Sequence, residues 1–295
     1  MTQQAIKKKK RICRNPGCQK EYEAKVATVI SHEVVLGDGL CPQCAKAEYE
    51  KEEARERQGR ETLIKMTKQR WFSQCGIPPR FLKESFETFD KTKQPKHYKL
   101  CLDYAMQFPF DALRGYKSLI MFSEHSWGVG KTHLATSIGR KIIERWNGEG
   151  VNWELKESEL RKLACPVLFI SEPELYTRIQ AGYNAARGSG ESQDSEASVI
   201  KQCVSAKLLI LDDVGKRKVT DSKFVNRIMF SIIQGRYNAE LPMVMTANLS
   251  SGGLAVYLSD GQGDEASMDR LVEMCKGEFY KIEGESYRRG VKIKG

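Results

Sequence analysis

No apolar run in this sequence approaches the roughly 18 residues that a membrane-spanning helix requires. The clean apolar stretches are short, Leu208–Leu211 and Val167–Ile170 holding four residues each, so no membrane contact is expected. An apolar signal core is missing as well. Lys7, Lys8, Lys9 and Lys10 lead to Cys13 and Cys18 instead of a hydrophobic stretch, so export is not expected and the cytoplasm is the expected compartment. Without export, an odd count of nine cysteines argues against a disulfide framework and leaves metal ligation or buried thiols. There is no internal repeat. With 40% hydrophobic and 29% charged residues the composition is that of a globular chain, neither disordered nor fibrous. A length of 295 residues allows one large domain or two smaller ones with a sizeable core. Acidic excess is lacking too: 48 Lys and Arg against 38 Asp and Glu give a net charge of +10. A polyanionic partner such as nucleic acid would explain that charge, and so would a solvated basic face.

The chain reads as three segments. Residues 1–45 are basic and cysteine-bearing. Residues 46–70 mix Glu, Lys and Arg without proline, and their few apolar residues suit a solvated helical linker. From Trp71 onward, short apolar runs alternate with amphipathic helices, as in an α/β domain spanning 71–295. Four runs, Ser118–Phe122, Val167–Ile170, Lys207–Leu211 and Met243–Thr246, are continuous enough for a parallel sheet covered on both faces. Leu134, Ile138, Ile142 and Trp146 predict one core-facing helix; Phe224, Ile228 and Ile232, with Val225, Met229 and Ile233 beside them, predict another. Arg187–Ser198 and Gly261–Asp264 read as loops, and Gly148–Leu163 as a lone solvated helix.

The first strand runs into Ser126-Trp127-Gly128-Val129-Gly130-Lys131-Thr132 and then directly into a helix. That is the context of a phosphate-binding loop. Gly128, Val129 and Gly130 let successive N–H groups turn toward phosphate oxygens at a helix N-terminus. Lys131 would reach the β- and γ-phosphates of ATP, and the Thr132 hydroxyl would sit on Mg²⁺. His125 stands where the usual pattern has its first glycine. Further on, Leu208-Leu209-Ile210-Leu211-Asp212-Asp213 is an apolar strand ending in two carboxylates. Asp212 would face Mg²⁺ at the sheet's C-terminal edge, and Asp213 would polarise an attacking water. Asn248, ending the fourth run, suits a water-orienting amide, although asparagine also ends strands in ordinary turns. Arg270 lies on a predicted helix.

Cys13-x4-Cys18 and Cys41-x2-Cys44 form two close pairs with Pro or Gly suited to tight knuckles. Four such thiolates can close a tetrahedral Zn²⁺ site, and a small basic segment poor in apolar residues needs a staple of this kind. The alternatives are unrelated reduced pairs, or His32 replacing one ligand. Lys7–Arg11 and Arg14 would contact phosphates without sequence preference, or form a disordered solubilising tail.

Gly76-Ile77-Pro78-Pro79-Arg80-Phe81, Gly128–Thr132 with His133-Leu134-Ala135, Leu208–Asp213, Thr246–Ser250 and Glu285-Ser286-Tyr287-Arg288 together resemble the DnaC/IstB branch of the AAA+ ATPases. This resemblance covers Trp71 to the C-terminus. It implies an αβα P-loop core with a central parallel sheet and no full helical lid, forming a homo-oligomer with ATP between subunits. It also implies roles: Lys131 and Thr132 as Walker A residues, Asp212 and Asp213 as the Walker B pair, and Asn248 as sensor 1. Arg270 is implied as an arginine finger acting on a neighbour's nucleotide, and Arg288 as sensor 2, with Arg289 competing. His125 and Asp213, where the commonest pattern has Gly and Glu, imply slow hydrolysis. The implied function is loading a replicative DNA helicase on single-stranded DNA, with the N-terminal module touching the helicase. Tyr176, Arg178, Tyr183 and Arg187 fall where helicase loaders carry a DNA-binding element, or else pack as ordinary structure. Two rival functions stay open: a transposition helper on duplex DNA, and a nonhydrolysing adaptor acting through its zinc module.

Overall fold

The computed structural model describes residues 6–29, 32–124, 126–154, 157–186, 194–215, 222–259 and 265–287. His125, Arg187, Arg288, Arg289 and the Gly261–Asp264 loop lie outside the described residues. The chain divides into two compact units, residues 1–65 and 66–295, and the boundary falls within one helix, α1, Pro42–Gln74.

In the first unit, strands β1 (Lys7–Ile12), β2 (Glu21–Val29) and β3 (His32–Val35) form an antiparallel sheet in that order. The lysine run is thus an edge strand and not a disordered tail. Its partner strands explain this: Lys8 pairs with Glu23 at 3.5 Å, Lys10 with Glu21 at 3.3 Å, Arg11 with Glu33 at 3.6 Å, and Lys9 also meets Glu33. Exposed pairs of this kind add little stability. They do match the charge of the run within the sheet, and lysines along an edge deter pairing with other chains. Over residues 46–60, α1 is exposed and carries pairs such as Lys46–Glu50 and Arg60–Glu56.

The second unit is the expected α/β fold. Its parallel sheet contains β4 (Leu119–Phe122), β5 (Val167–Ser171), β6 (Leu208–Val214), β7 (Met243–Ala247) and β8 (Phe279–Lys281) in the order β5-β6-β7-β4-β8. Sequence patterning missed β8, a three-residue edge strand whose half-exposed side chains give no apolar run. Around the sheet lie α2 (Pro95–Gln107), α3 (Lys131–Arg145), the short α4 (Glu157–Leu160), α5 (Glu172–Ala186), α6 (Glu196–Ser205), α7 (Ser222–Asn238), α8 (Ser251–Leu258) and α9 (Ala266–Met274). Leu134, Ile138 and Ile142 are fully buried on α3, and Ile228, Met229, Ile232 and Ile233 on α7, as their spacing required.

Three local expectations change. Trp146 caps α3 instead of continuing it, and is buried against Trp71 at 4.5 Å between ring centroids. Residues 148–163 contain no long helix among the described residues: α4 is a single turn with Leu160 buried. The Arg187–Ser198 loop ends early, because the Ser195 side chain accepts from the Ser198 N–H in a capping box that starts α6.

Candidate functional site

Strand β4 lies between β7 and β8, so the sheet's strand order reverses beside it, and the loop following β4 opens at the edge where such sheets bind ligands. That loop curls tightly. Gly128 and Gly130 both have positive φ, and Gly130 is the N-cap of α3 at φ +97°. A Cβ on Gly130 would stand 2.8 Å from the Phe89 ring, so a side chain is excluded by space as well as by conformation. Lys131 is buried and donates to the Ser123 hydroxyl, whose oxygen in turn donates to the Ser126 carbonyl at 2.6 Å.

The two acids of β6 are brought in by an irregularity. Pairing with β7 runs Leu211 to Met245 and resumes at Val214 to Ala247, so Asp212 and Asp213 both face Thr246. A regular strand would send consecutive side chains to opposite faces. Here the extra residue forms a bulge, with Asp213 in the left-handed region at φ +60°. The Thr246 hydroxyl serves both acids, donating to Asp212 Oδ1 at 2.6 Å and accepting from the Asp213 N–H at 2.9 Å. Asn248 Nδ2 donates to Asp213 Oδ1 at 3.3 Å. Thr132 Oγ1 lies 3.1 Å from each oxygen of Asp212. Burial pushes the Asp212 carboxyl up to about 6 despite the Thr246 bond, and the Asp213 charge adds to the rise.

These oxygens suit a magnesium ion. Oxygens at neighbouring octahedral positions about 2.1 Å from Mg²⁺ stand about 3 Å apart, close to the Thr132–Asp212 spacing. Residues Gly128–His133, Asp213 and Asn248 line one side of a cavity of about 270 Å³. Its other wall comes from Arg80, Phe81, Glu84, Phe89, Trp127 and Tyr287.

That second wall was only partly legible. Arg80, Phe81, Trp127 and Tyr287 belong to motifs quoted above, whereas Glu84 and Phe89 follow no pattern. The wall is tied to the loop through His133, which faces the Glu84 carboxylate with Nδ1 and donates from Nε2 to the Ser85 carbonyl at 2.8 Å. Tyr287 donates its backbone N–H to Gly128 O at 2.9 Å and its hydroxyl to Asp90 O at 3.1 Å. Thr246 was also missed as a functional residue, although its hydroxyl two positions before Asn248 is the available signal.

Arg270 does not join this cavity. It lies on α9, donates to the Ala266 carbonyl at 2.6 Å and rests its guanidinium over Phe230 and Tyr237. The proposed DNA-contacting side chains of α5 are otherwise engaged. Tyr176 is buried and its hydroxyl meets Glu172. Arg178 makes two bonds to Asp194, at 2.8 and 2.9 Å, and a third to Gln202. Tyr183 stays 39% exposed but donates to Glu196.

In the first unit, Cys13, Cys18, Cys41 and Cys44 place their sulfurs within 4.8 Å of one another. Tetrahedral zinc with bonds of about 2.3 Å has sulfur–sulfur edges of about 3.8 Å, and Cys18 and Cys41 are 3.7 Å apart. N–H groups already point at the sulfurs: Cys41 N–H donates to Cys13 Sγ at 3.2 Å and Asn15 Nδ2 to Cys44 Sγ at 3.4 Å. The Cys44 backbone N–H holds the Cys41 thiol down at about 7, while the Cys18 sulfur pushes Cys44 up to about 12. This is the crowding that a divalent cation relieves. The donor set fits zinc; His32, exposed on β3, is not part of it.

Comparison with known proteins agrees with the motifs. The family profile of IstB-like ATP binding proteins matches residues 167–295. An ATP-binding protein of insertion sequence IS5376 from Geobacillus stearothermophilus is 26% identical over 276 residues, covering 92% of this chain and 89% of its own length. The replicative helicase loader DnaC of Buchnera aphidicola is 24% identical over 266 residues, covering 86% of this chain and 93% of the relative. The crystal structure of the DnaC helicase loader superposes with a TM-score of 0.50 at 22% identity, covering 70% of this chain and all of that one.

Proposed function

Taking as premise that this chain is similar to the DnaC/IstB-type AAA+ ATPases in sequence and in the fold of its second unit, we propose that it binds and slowly hydrolyses ATP to help place a replicative helicase on single-stranded DNA. One observation carries the ATPase reading. A continuous set of bonds links Thr132, Asp212, Thr246, Asp213 and Asn248 at the mouth of the phosphate-binding loop.

Each residue then has a task. The loop N–H groups and Lys131 hold the phosphates, with Lys131 exchanging its Ser123 partner for phosphate oxygen. Thr132 and Asp212 would hold Mg²⁺, which supplies charge neutralisation between the phosphates. Asp213, fixed against Asn248, takes a proton from the attacking water and Asn248 orients it. Arg270, away from its own chain's cavity, acts on the nucleotide of an adjacent subunit, and Arg288, or Arg289 in its place, serves as sensor 2. The cysteine module, holding Zn²⁺, contacts the helicase.

Subunit sharing has a direct check. Lys131→Ala and Arg270→Ala chains, each deficient alone, are expected to regain turnover when mixed, because mixed interfaces pair an intact loop with an intact arginine. A mixture no better than the average of its parts would show that Arg270 does not act across a subunit interface.

The insertion-sequence relative favours a second reading, a transposition helper on duplex DNA. Fluorescence anisotropy decides between them, using labelled single-stranded and duplex DNA of equal length without nucleotide, with ADP and with a slowly hydrolysed ATP analogue. Preference for single strands that requires the triphosphate is expected. Preference for duplex would favour the transposition reading, and no binding in any state would favour the adaptor.

A further inference from the structure

Glu172 opens α5 directly after β5, is fully buried, and takes no part in the cavity wall. A buried carboxylate is costly unless its oxygens are bonded. Those of Glu172 are: it accepts from the Tyr257 hydroxyl at 2.6 Å, the Gly215 N–H at 2.9 Å and the Tyr176 hydroxyl at 3.3 Å. Burial pushes its carboxyl up, the three donors draw it back, and the nearby Asp213 charge raises it again.

The donors come from segments that the nucleotide site depends on. Gly215 is two residues beyond Asp213, where the chain leaves β6 at φ +78°. A Cβ there would stand 2.2 Å from Leu249 Cδ1, so the chain passes in close contact with the residue after Asn248. Just before it, the Asn248 N–H donates to the Val214 carbonyl at 3.3 Å. Tyr257 lies on α8, which is capped by Ser250, two residues after Asn248. Glu172 therefore joins the exit of β6 to the helix that follows β7, on the side of the bulge away from Thr246.

We propose that Glu172 is a positioning residue of the nucleotide site, clamping Gly215 and Tyr257 so that Asp213 stays fixed against Asn248. This rests on the reading of Asp213 and Asn248 as the pair that prepares the attacking water. The bulge needs such a clamp, because left-handed backbone at a non-glycine residue persists only where its surroundings hold it.

Three variants test it by steady-state ATP turnover, analogue binding and amide exchange at Gly215. Glu172→Ala is expected to lower kcat about tenfold or more, the scale of a misplaced reacting group. KM and analogue affinity should stay within about twofold, because Lys131 and Thr132 are untouched. Glu172→Gln keeps most of kcat, since its amide oxygen still accepts from Gly215 while the tyrosine hydroxyls turn to accept from its NH2. Gly215 exchange should quicken in the alanine variant and not in the glutamine one. Should Glu172→Ala fail to fold, Tyr257→Phe keeps the ring packing and is read for the same split between kcat and KM. An unchanged kcat, unchanged Gly215 exchange, or a kcat loss matched by equal loss of nucleotide affinity overturns the proposal. A wild-type protein without turnover overturns the ATPase reading instead, and Gly215 exchange alone then decides whether the clamp exists.

Discussion

Lys131→Ala is expected to abolish ATP turnover, by at least about a hundredfold, the usual scale for removing a charge that stabilises a transition state in a water-poor site. Lys131 is buried at the base of the cavity, beside Ser123 and at the first turn of α3. No other lysine lines that cavity among the described residues. Its ammonium is thus placed to offset phosphate charge where solvent cannot. The fold should survive, because Ser123, to which the Lys131 ammonium donates, keeps the Ser126 carbonyl as a partner. Phosphate release assays, analogue titration and thermal melting read the three quantities separately. Turnover that survives the substitution would remove this loop from the chemistry. Wild-type binding without turnover would favour the adaptor reading.

The second large effect is expected from withdrawing zinc. Among the described residues, the buried apolar side chains of residues 1–65 are Cys13, Ala24, Val26, Ala27 and Cys41. Two of these five are proposed ligands, and the remaining three are small. Such a core cannot offset the chain entropy lost on folding. Structural zinc supplies on the order of 10 kcal/mol in sites of this kind, and that binding energy is folding energy. Chelation, or Cys41→Ser, should therefore expose the amides of β1 to β3 to rapid exchange. Metal content should fall from one zinc per chain toward none, while residues 66–295, with their own buried core, keep nucleotide binding. A purified protein free of zinc, with β1 to β3 still protected from exchange, would overturn the assignment.

The phosphate-binding loop was readable because its chemistry is local: residues adjacent in sequence form one turn between a strand and a helix. The parallel sheet was readable for a related reason, since strands buried on both faces carry continuous apolar runs, as Leu208–Leu211 of β6 and Met243–Met245 of β7 do. Tyr176 and Arg178 stayed open between DNA contact and ordinary packing because aromatic and basic residues look alike whether they face solvent or the core. In the fold Tyr176 is buried with its hydroxyl on Glu172, one turn earlier on α5, and Arg178 is held by Asp194 from the segment that precedes α6. The lysine run could not be read as a strand because its acidic partners, Glu21, Glu23 and Glu33, come from later strands.

The sequence by itself determined the α/β class, the glycine-lined loop with Lys131 and Thr132, the acidic end of β6 and the spacing of four cysteines, because each is a property of neighbouring residues. Tertiary structure alone decided that Asp212 and Asp213 both turn toward Thr246, that Phe89 and Tyr287 wall the cavity, and that Glu172 grips Gly215 and Tyr257. The physical reason is that strand geometry sends consecutive side chains to opposite faces. A bulge, a left-handed residue and a buried carboxylate override that rule only where the register of an adjacent strand and the donors of distant helices hold them in place.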